Sequence, residues 1–115
     1  MSLILLVEDD EMVREVTAAL LVDLGHDVVQ ANSARAAVRM LLQHEFDVLV
    51  TDIGLPDVSG DVFAAEARSI RPGLGIVFAT GGNVVRDVDQ GDASPVLLRK
   101  PYTSEALAAA IARSH

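Results

Sequence analysis

Four apolar runs in this chain each end on residues able to do chemistry. Leu3–Val7 runs into Glu8 and Asp9, with Asp10 and Glu11 behind them; 46–52 ends on Asp52, Gly75–Thr80 on Thr80, and 95–100 on Lys100. A parallel sheet binds ligands outside the carboxyl ends of its strands. If these runs are neighbouring parallel strands, three carboxylates, a hydroxyl and an ammonium therefore share one rim. Carboxylates so crowded repel one another and do not all stay ionised without a cation. Hard oxygen donors with open water positions suit Mg2+. Singly, the residues have plainer readings. Asp52 could form a turn ahead of "GLP". Glu8 and Asp9 could complement a helix dipole, which is the reading kept for Asp10 and Glu11. Thr80 could open a loop, and Lys100 could be a solvated side chain. Their coincidence at four strand ends favours a site.

The elements that must position these groups follow from periodicity. Segment 11–24 places Val13, Val16, Leu20 and Leu24 on one helical stripe, with Gly25 as the residue that ends it. Asp27–Ala31 is a short strand, and Ser33 caps a helix reaching about His44 through Ala37, Met40 and Leu41. Gly54, Pro56 and Gly60 break the chain after the third strand, 62–70 is a helix, and Thr103 caps an Ala-rich helix to about Arg113. Continuous apolar strands separated by helices imply an α/β fold with five parallel strands covered on both faces. Segment 83–94, "NVVRDVDQGDAS", fits least well. It carries Gly91 and several Asp residues with little apolar period, so a short, irregular or mobile element is expected there.

Composition sets the outer limits. The 115 residues suit one domain, 1–115, with one core. Half the residues are hydrophobic but only 3% aromatic, so Ala, Val, Leu and Ile must do most of the packing, with Phe46, Phe63 and Phe78 as the large pieces. Nine basic against 17 acidic residues give a net charge of -8. That balance repels phosphate backbones and argues against direct nucleic-acid binding; a cation or a basic partner is the natural counter-charge. With no Cys, disulfides, thiol nucleophiles and thiolate metal sites are excluded. Leu3–Val7 is too short for a signal or membrane segment and no basic residue precedes it, so a cytoplasmic chain without a membrane partner is expected.

The motifs "LLVEDD", "DVLVTDIGLPDVSG", "FATG" and "LLRKP", in that order, resemble the receiver domain of two-component response regulators across essentially the whole chain. That resemblance implies a flavodoxin-like three-layer sandwich with strand order 2-1-3-4-5. It implies that Asp52 is the phosphoacceptor, taking a phosphoryl group from a sensor histidine kinase, a histidine phosphotransfer protein or a small donor. Asp9, Asp52 and the backbone carbonyl of Gly54 would bind Mg2+, with Glu8 acting through a metal-bound water. Lys100 would join Mg2+ in neutralising the equatorial oxygens, and Thr80 would hydrogen-bond the attached phosphoryl group as the switch. A cis Lys100–Pro101 bond is common in the family. No turnover enzyme is implied beyond self-phosphotransfer and autodephosphorylation. Signalling would pass to a downstream protein target, and the kinase would dock near the first helix with Val13 and Arg14 as candidate contacts. Since the sequence stops about one helix after Lys100, a stand-alone receiver is expected. The alternatives are a receiver fragment of a hybrid histidine kinase and a non-phosphorylated receiver-like interaction module, although the latter would usually have lost Asp52 or Lys100.

Two departures from the pattern carry expectations of their own. Leu97 stands where many receivers have Tyr or Phe, so output is expected to run through ordering of 81–94 instead of a ring flip. Gly54 and Gly82 offer no side chain to shield an aspartyl phosphate, so its lifetime is expected to be moderate to short. Rival folds of the same topology fail on chemistry. An FMN-binding flavodoxin-like protein needs a phosphate-cradling loop after the first strand, where this chain has carboxylates. An aspartyl-nucleophile phosphohydrolase would normally place a second Asp where Gly54 stands.

Overall fold

A strand that is apolar on both sides cannot leave either side in water, and the chain solves this by covering its sheet twice. The computed structural model describes residues 2–52, 55, 57–80, 96–99 and 104–114, with the backbone alone at 60, 61, 79, 80, 96–99, 104 and 114. Strands β1 (Leu3–Val7), β2 (Asp27–Ala31), β3 (Val48–Asp52), β4 (Gly75–Thr80) and β5 (Val96–Arg99) alternate with helices α1 (Glu11–Asp23), α2 (Ala34–Gln43), α3 (Gly60–Ile70) and α4 (Ser104–Ser114). The five strands are parallel in the order β2-β1-β3-β4-β5, as the resemblance implied. Segment 81–95, which includes Gly82 and the poorly patterned 83–94, lies outside the described residues, as does the cap expected at Thr103.

The two-residue period of the strands divides the core. Leu5 and Val7 of β1, Leu49 of β3, and Ile76 and Phe78 of β4 face one side, where Ala37 and Leu41 of α2 and Phe63 and Ala67 of α3 cover them. Ile4, Leu6, Val48, Val50 and Val77 face the other side, beneath Ala18 and Leu21 of α1 and Leu107, Ala110 and Ile111 of α4. The single core expected is thus cut in two by the sheet. All three phenylalanines lie on the α2/α3 side, so the α1/α4 side is packed from smaller aliphatic residues. Leu21, Leu41, Leu49 and Phe63 are fully buried, and each such side chain contributes roughly 1.5–3 kcal/mol relative to exposure.

Helix ends follow their local chemistry. Asp10 caps α1 by accepting from the Val13 amide at 3.1 Å, and Ser33 caps α2 by accepting from Ala36 at 3.2 Å. At the other end of α1, Gly25 adopts φ 96°, and its N–H and that of His26 reach back to the carbonyls of Val22 and Leu21. This crossed pair of bonds closes the last turn and needs a residue tolerant of positive φ.

One expectation about α1 is corrected. Of the stripe Val13, Val16, Leu20 and Leu24, Leu20 and Leu24 pack partly buried against the core, but the fully covered residues are Thr17, Ala18 and Leu21, and Val16 is 57% exposed. Apolar residues run almost all the way round this helix, so its periodicity under-determines which side meets the sheet. Close approach of helix to sheet is achieved through the small residues Thr17 and Ala18, which turns the larger Val16 outward.

Candidate metal site on the carboxyl rim

Register decides which carboxylates meet. Val7 of β1 pairs with Thr51 of β3, so the residues that follow, Glu8 and Asp52, leave the sheet side by side. Asp9 comes one residue later, before α1 begins. A carboxylate oxygen from each of Glu8, Asp9 and Asp52 lies within 4.8 Å of the other two. The structure therefore brings Asp52 to two acids that lie more than forty positions earlier in the sequence.

Glu8 is the buried member, 4% exposed. Its amide donates to the Ala31 carbonyl at 3.1 Å, and its Oε2 accepts the Asp10 amide at 3.1 Å. Its own carbonyl accepts Arg14 Nη1 at 2.9 Å. Asp52 is half-buried and Asp9 exposed, so the cluster grades from interior to solvent. Behind Asp52, the buried Thr51 hydroxyl donates to the Asp52 carbonyl at 3.1 Å. Two unit charges 4.8 Å apart repel by about 3 kcal/mol at an effective dielectric constant of about 20. That figure bounds the Glu8–Asp52 pair, and the two pairs involving the exposed Asp9 repel less; water or a cation offsets all three. All-oxygen, triply anionic and open on one side, this donor set fits a Mg2+ ion that keeps several waters.

The other expected site residues are placed in part. Thr80 is the last residue of β4, and its backbone pairs with Arg99, which precedes Lys100 in the sequence. Gly54, Lys100 and Pro101 lie outside the described residues, as does the side chain of Leu97. Asp10 serves as the α1 cap, in line with its reading as a helix-start charge. Val13 and Arg14, expected as partner contacts, are both half-buried. Arg14 turns inward to Glu8 and to Gln30 Oε1, the latter at 3.3 Å. The large apolar side chains that α1 leaves in solvent are Met12, 74% exposed, Val16 and Val22.

Sequence reasoning missed Asp57. Its carboxylate accepts the Ala34 amide at 3.2 Å and the Arg35 amide at 3.0 Å, the first two donors of α2. With Ser33 holding Ala36, the start of this helix is satisfied from two directions. The Arg35 hydrogen bond is the main cause of a carboxyl pKa held below its ordinary 3.8, with the Ala34 bond and the Arg35 charge acting in the same direction against partial desolvation. Leu55, buried in the α2/α3 core, and Asp57 thus tether the loop after Asp52 on either side of Pro56. The available signal was an Asp in a breaker-rich loop, and it names no partner.

A family model described as response regulator receiver domain matches residues 4–112. The response regulator protein FleR of Pseudomonas aeruginosa is 34% identical over 114 residues, which cover 96% of this chain and 24% of FleR. The response regulator receiver protein CpdR of Brucella abortus is 34% identical over 104 residues, covering 89% of this chain and 87% of CpdR. The chain thus spans about a quarter of the first relative and most of the second. Among solved structures, the response regulator protein TrrA of Thermotoga maritima, in complex with Mg2+ and BeF, has the same fold. It gives a TM-score of 0.88 at 23% identity, with all of both chains covered.

Proposed function

Because the chain belongs to the response regulator receiver domain family, we propose that Asp52 accepts a phosphoryl group and that Glu8, Asp9 and Asp52 hold the Mg2+ the transfer requires. The observation that carries this reading is the convergence of those three carboxylates within 4.8 Å on the carboxyl rim of the sheet. Receiver domains bind Mg2+ at such an acidic pocket, and TrrA carries Mg2+ with BeF on the same fold. Bound there, Mg2+ supplies positive charge to the transferring phosphoryl oxygens.

The chain's own part is positioning. A carboxylate oxygen of Asp52 attacks phosphorus as the bond from phosphorus to the histidine nitrogen, or to the acyl oxygen of a small donor, breaks on the opposite side. One P–O bond forms as one P–N or P–O bond is lost, and the electron pair leaves with the donor. Half-burial of Asp52 and the Thr51 bond to its carbonyl keep the attacking group aimed out of the rim. In this reading Lys100 adds a second positive charge, the Gly54 carbonyl completes the metal ligands, and Thr80 binds the phosphoryl group once attached. The chain acts as a phosphoacceptor with self-phosphotransfer and autodephosphorylation, and not as a turnover enzyme.

Receiver domains receive their phosphoryl group from histidine kinases or phosphotransfer proteins. For this chain the docking face is assigned to the exposed apolar residues Met12 and Val16, one turn apart on α1, the helix that follows Glu8 and Asp9. No helix among the described residues is long and apolar enough to cross a membrane, and the proposed setting is the cytoplasm. The test is incubation with Mg2+ and acetyl phosphate followed by intact mass measurement. One added phosphoryl group, lost in Asp52→Asn and in EDTA, is expected. Uptake that survives Asp52→Asn, or no uptake from either acetyl phosphate or a phosphohistidine donor, would overturn the assignment.

A further inference from the structure

Arg14 binds two neutral oxygens from two different strand ends. Nη1 donates to the backbone carbonyl of Glu8 at 2.9 Å, and Nε donates to Gln30 Oε1 at 3.3 Å. Glu8 follows β1 and Gln30 belongs to β2, so one half-buried guanidinium on α1 joins the chain just before Asp9 to the neighbouring edge strand. The Glu8 carbonyl is also one end of the peptide plane whose other end is the Asp9 amide. That plane is rigid. Rotation about the Glu8 Cα–C bond, which the carbonyl's bond to Arg14 resists, would redirect the Asp9 Cα and with it the Asp9 carboxylate.

We propose that Arg14 is a positioning residue for the divalent cation: by fixing the Glu8–Asp9 peptide plane it sets the direction in which the Asp9 carboxylate meets those of Glu8 and Asp52. The inference rests on reading the rim as a Mg2+ site and assigns that site a support outside its ligands. Neighbouring bonds hold other atoms of the same stretch. The Glu8 amide is held by Ala31, the Glu8 carboxylate by the Asp10 amide, and Asp10 by its own capping bond to Val13. Arg14 holds the Glu8 carbonyl itself.

The sign of the effect separates positioning from charge. Arg14 carries a positive charge on the backbone of a proposed ligand, so a purely electrostatic role would oppose Mg2+, and its removal would tighten binding. A purely structural role would lower the melting temperature and leave the affinity of the folded protein unchanged. Positioning alone predicts weaker binding when Arg14 is removed. Supports of metal ligands typically contribute roughly 10- to 100-fold in affinity.

The experiment is calorimetric titration of the full chain with Mg2+, at a temperature where circular dichroism shows each variant folded. Arg14→Met keeps the aliphatic stem and removes both donors, and it is expected to raise the Mg2+ Kd roughly tenfold or more. Arg14→Lys keeps the charge but offers a point donor instead of a fork, and should fall between Arg14→Met and wild type. An unchanged or tighter Kd in Arg14→Met, with wild type binding normally, overturns the inference alone. If Arg14→Met does not fold, wild-type affinity in Arg14→Lys overturns it in the same way. Failure of wild type to bind Mg2+ overturns the functional reading, and this inference with it.

Discussion

Without a divalent cation, Asp9→Asn should make the protein more stable while making it a poorer Mg2+ binder. The Asp9 carboxylate lies no more than 4.8 Å from those of Glu8 and Asp52. Unit charges at that distance repel by about 3 kcal/mol at an effective dielectric constant of about 20, and by about 0.9 kcal/mol in bulk water. Asp9 is exposed, so the lower figure governs, and its two pairs sum to roughly 2 kcal/mol. A screening length of about 8 Å at physiological salt reduces that to about 1 kcal/mol. For a domain of this size, about 1 kcal/mol raises the melting temperature by roughly 4 °C. Asparagine keeps the shape of the side chain, so little else changes. The assay is a pair of thermal melts per protein, in EDTA and in millimolar Mg2+. In EDTA the variant should melt above wild type. In Mg2+ the order should narrow or reverse, because a ligand stabilises the folded state only in proportion to its occupancy. A variant that melts at or below wild type in EDTA would refute the repulsion argument, and with it the idea that these acids are crowded against their own electrostatic interest.

Three further outcomes follow from particular contacts. Asp57→Asn should lower the melting temperature at neutral pH by weakening two amide contacts at the start of α2. Because the folded carboxyl titrates below 3.8, wild type keeps this advantage down to about that pH and loses it as pH falls through the lower folded value; parallel melts down the acid range should converge, and a constant gap would contradict the assignment. Leu21→Ala removes a fully buried side chain between α1 and the sheet, and should cost about 2–5 kcal/mol in urea unfolding with the slope unchanged. Gly25→Ala meets no steric obstacle, but its φ of 96° suits L-residues poorly, so a loss of about 1 kcal/mol is expected at that helix end; an unchanged unfolding midpoint would remove the argument.

What could be read from the sequence was whatever a strand enforces by its own geometry. Leu3–Val7 and the stretch 48–50 are apolar on both sides of their two-residue period, which demands cover on both faces and so favours parallel packing with helices outside. Once the strands are parallel, every carboxyl end opens on the same edge. Glu8 and Asp52 then become neighbours through the pairing of Val7 with Thr51. The helix stripe on α1 was not readable in the same way, because Val13, Val16, Leu20 and Leu21 offer the sheet several apolar faces and the close fit of Thr17 and Ala18 decides among them.

Arg14 and Asp57 escaped for a related reason. Each looks like an ordinary surface charge in its own segment, and each acquires its role from a backbone group on another element: the Glu8 carbonyl at the end of β1 for Arg14, the first amides of α2 for Asp57. No period or motif encodes a bond between a side chain and a distant peptide group. Both bonds nevertheless act on the same rim. Arg14 holds the chain that carries Glu8 and Asp9, while Asp57 and the buried Leu55 hold the loop that follows Asp52. Three acids that repel one another would separate if the two segments bearing them were free to drift. Anchoring each segment from a helix start, outside the cluster, holds the carboxylates close together where a cation can meet all three.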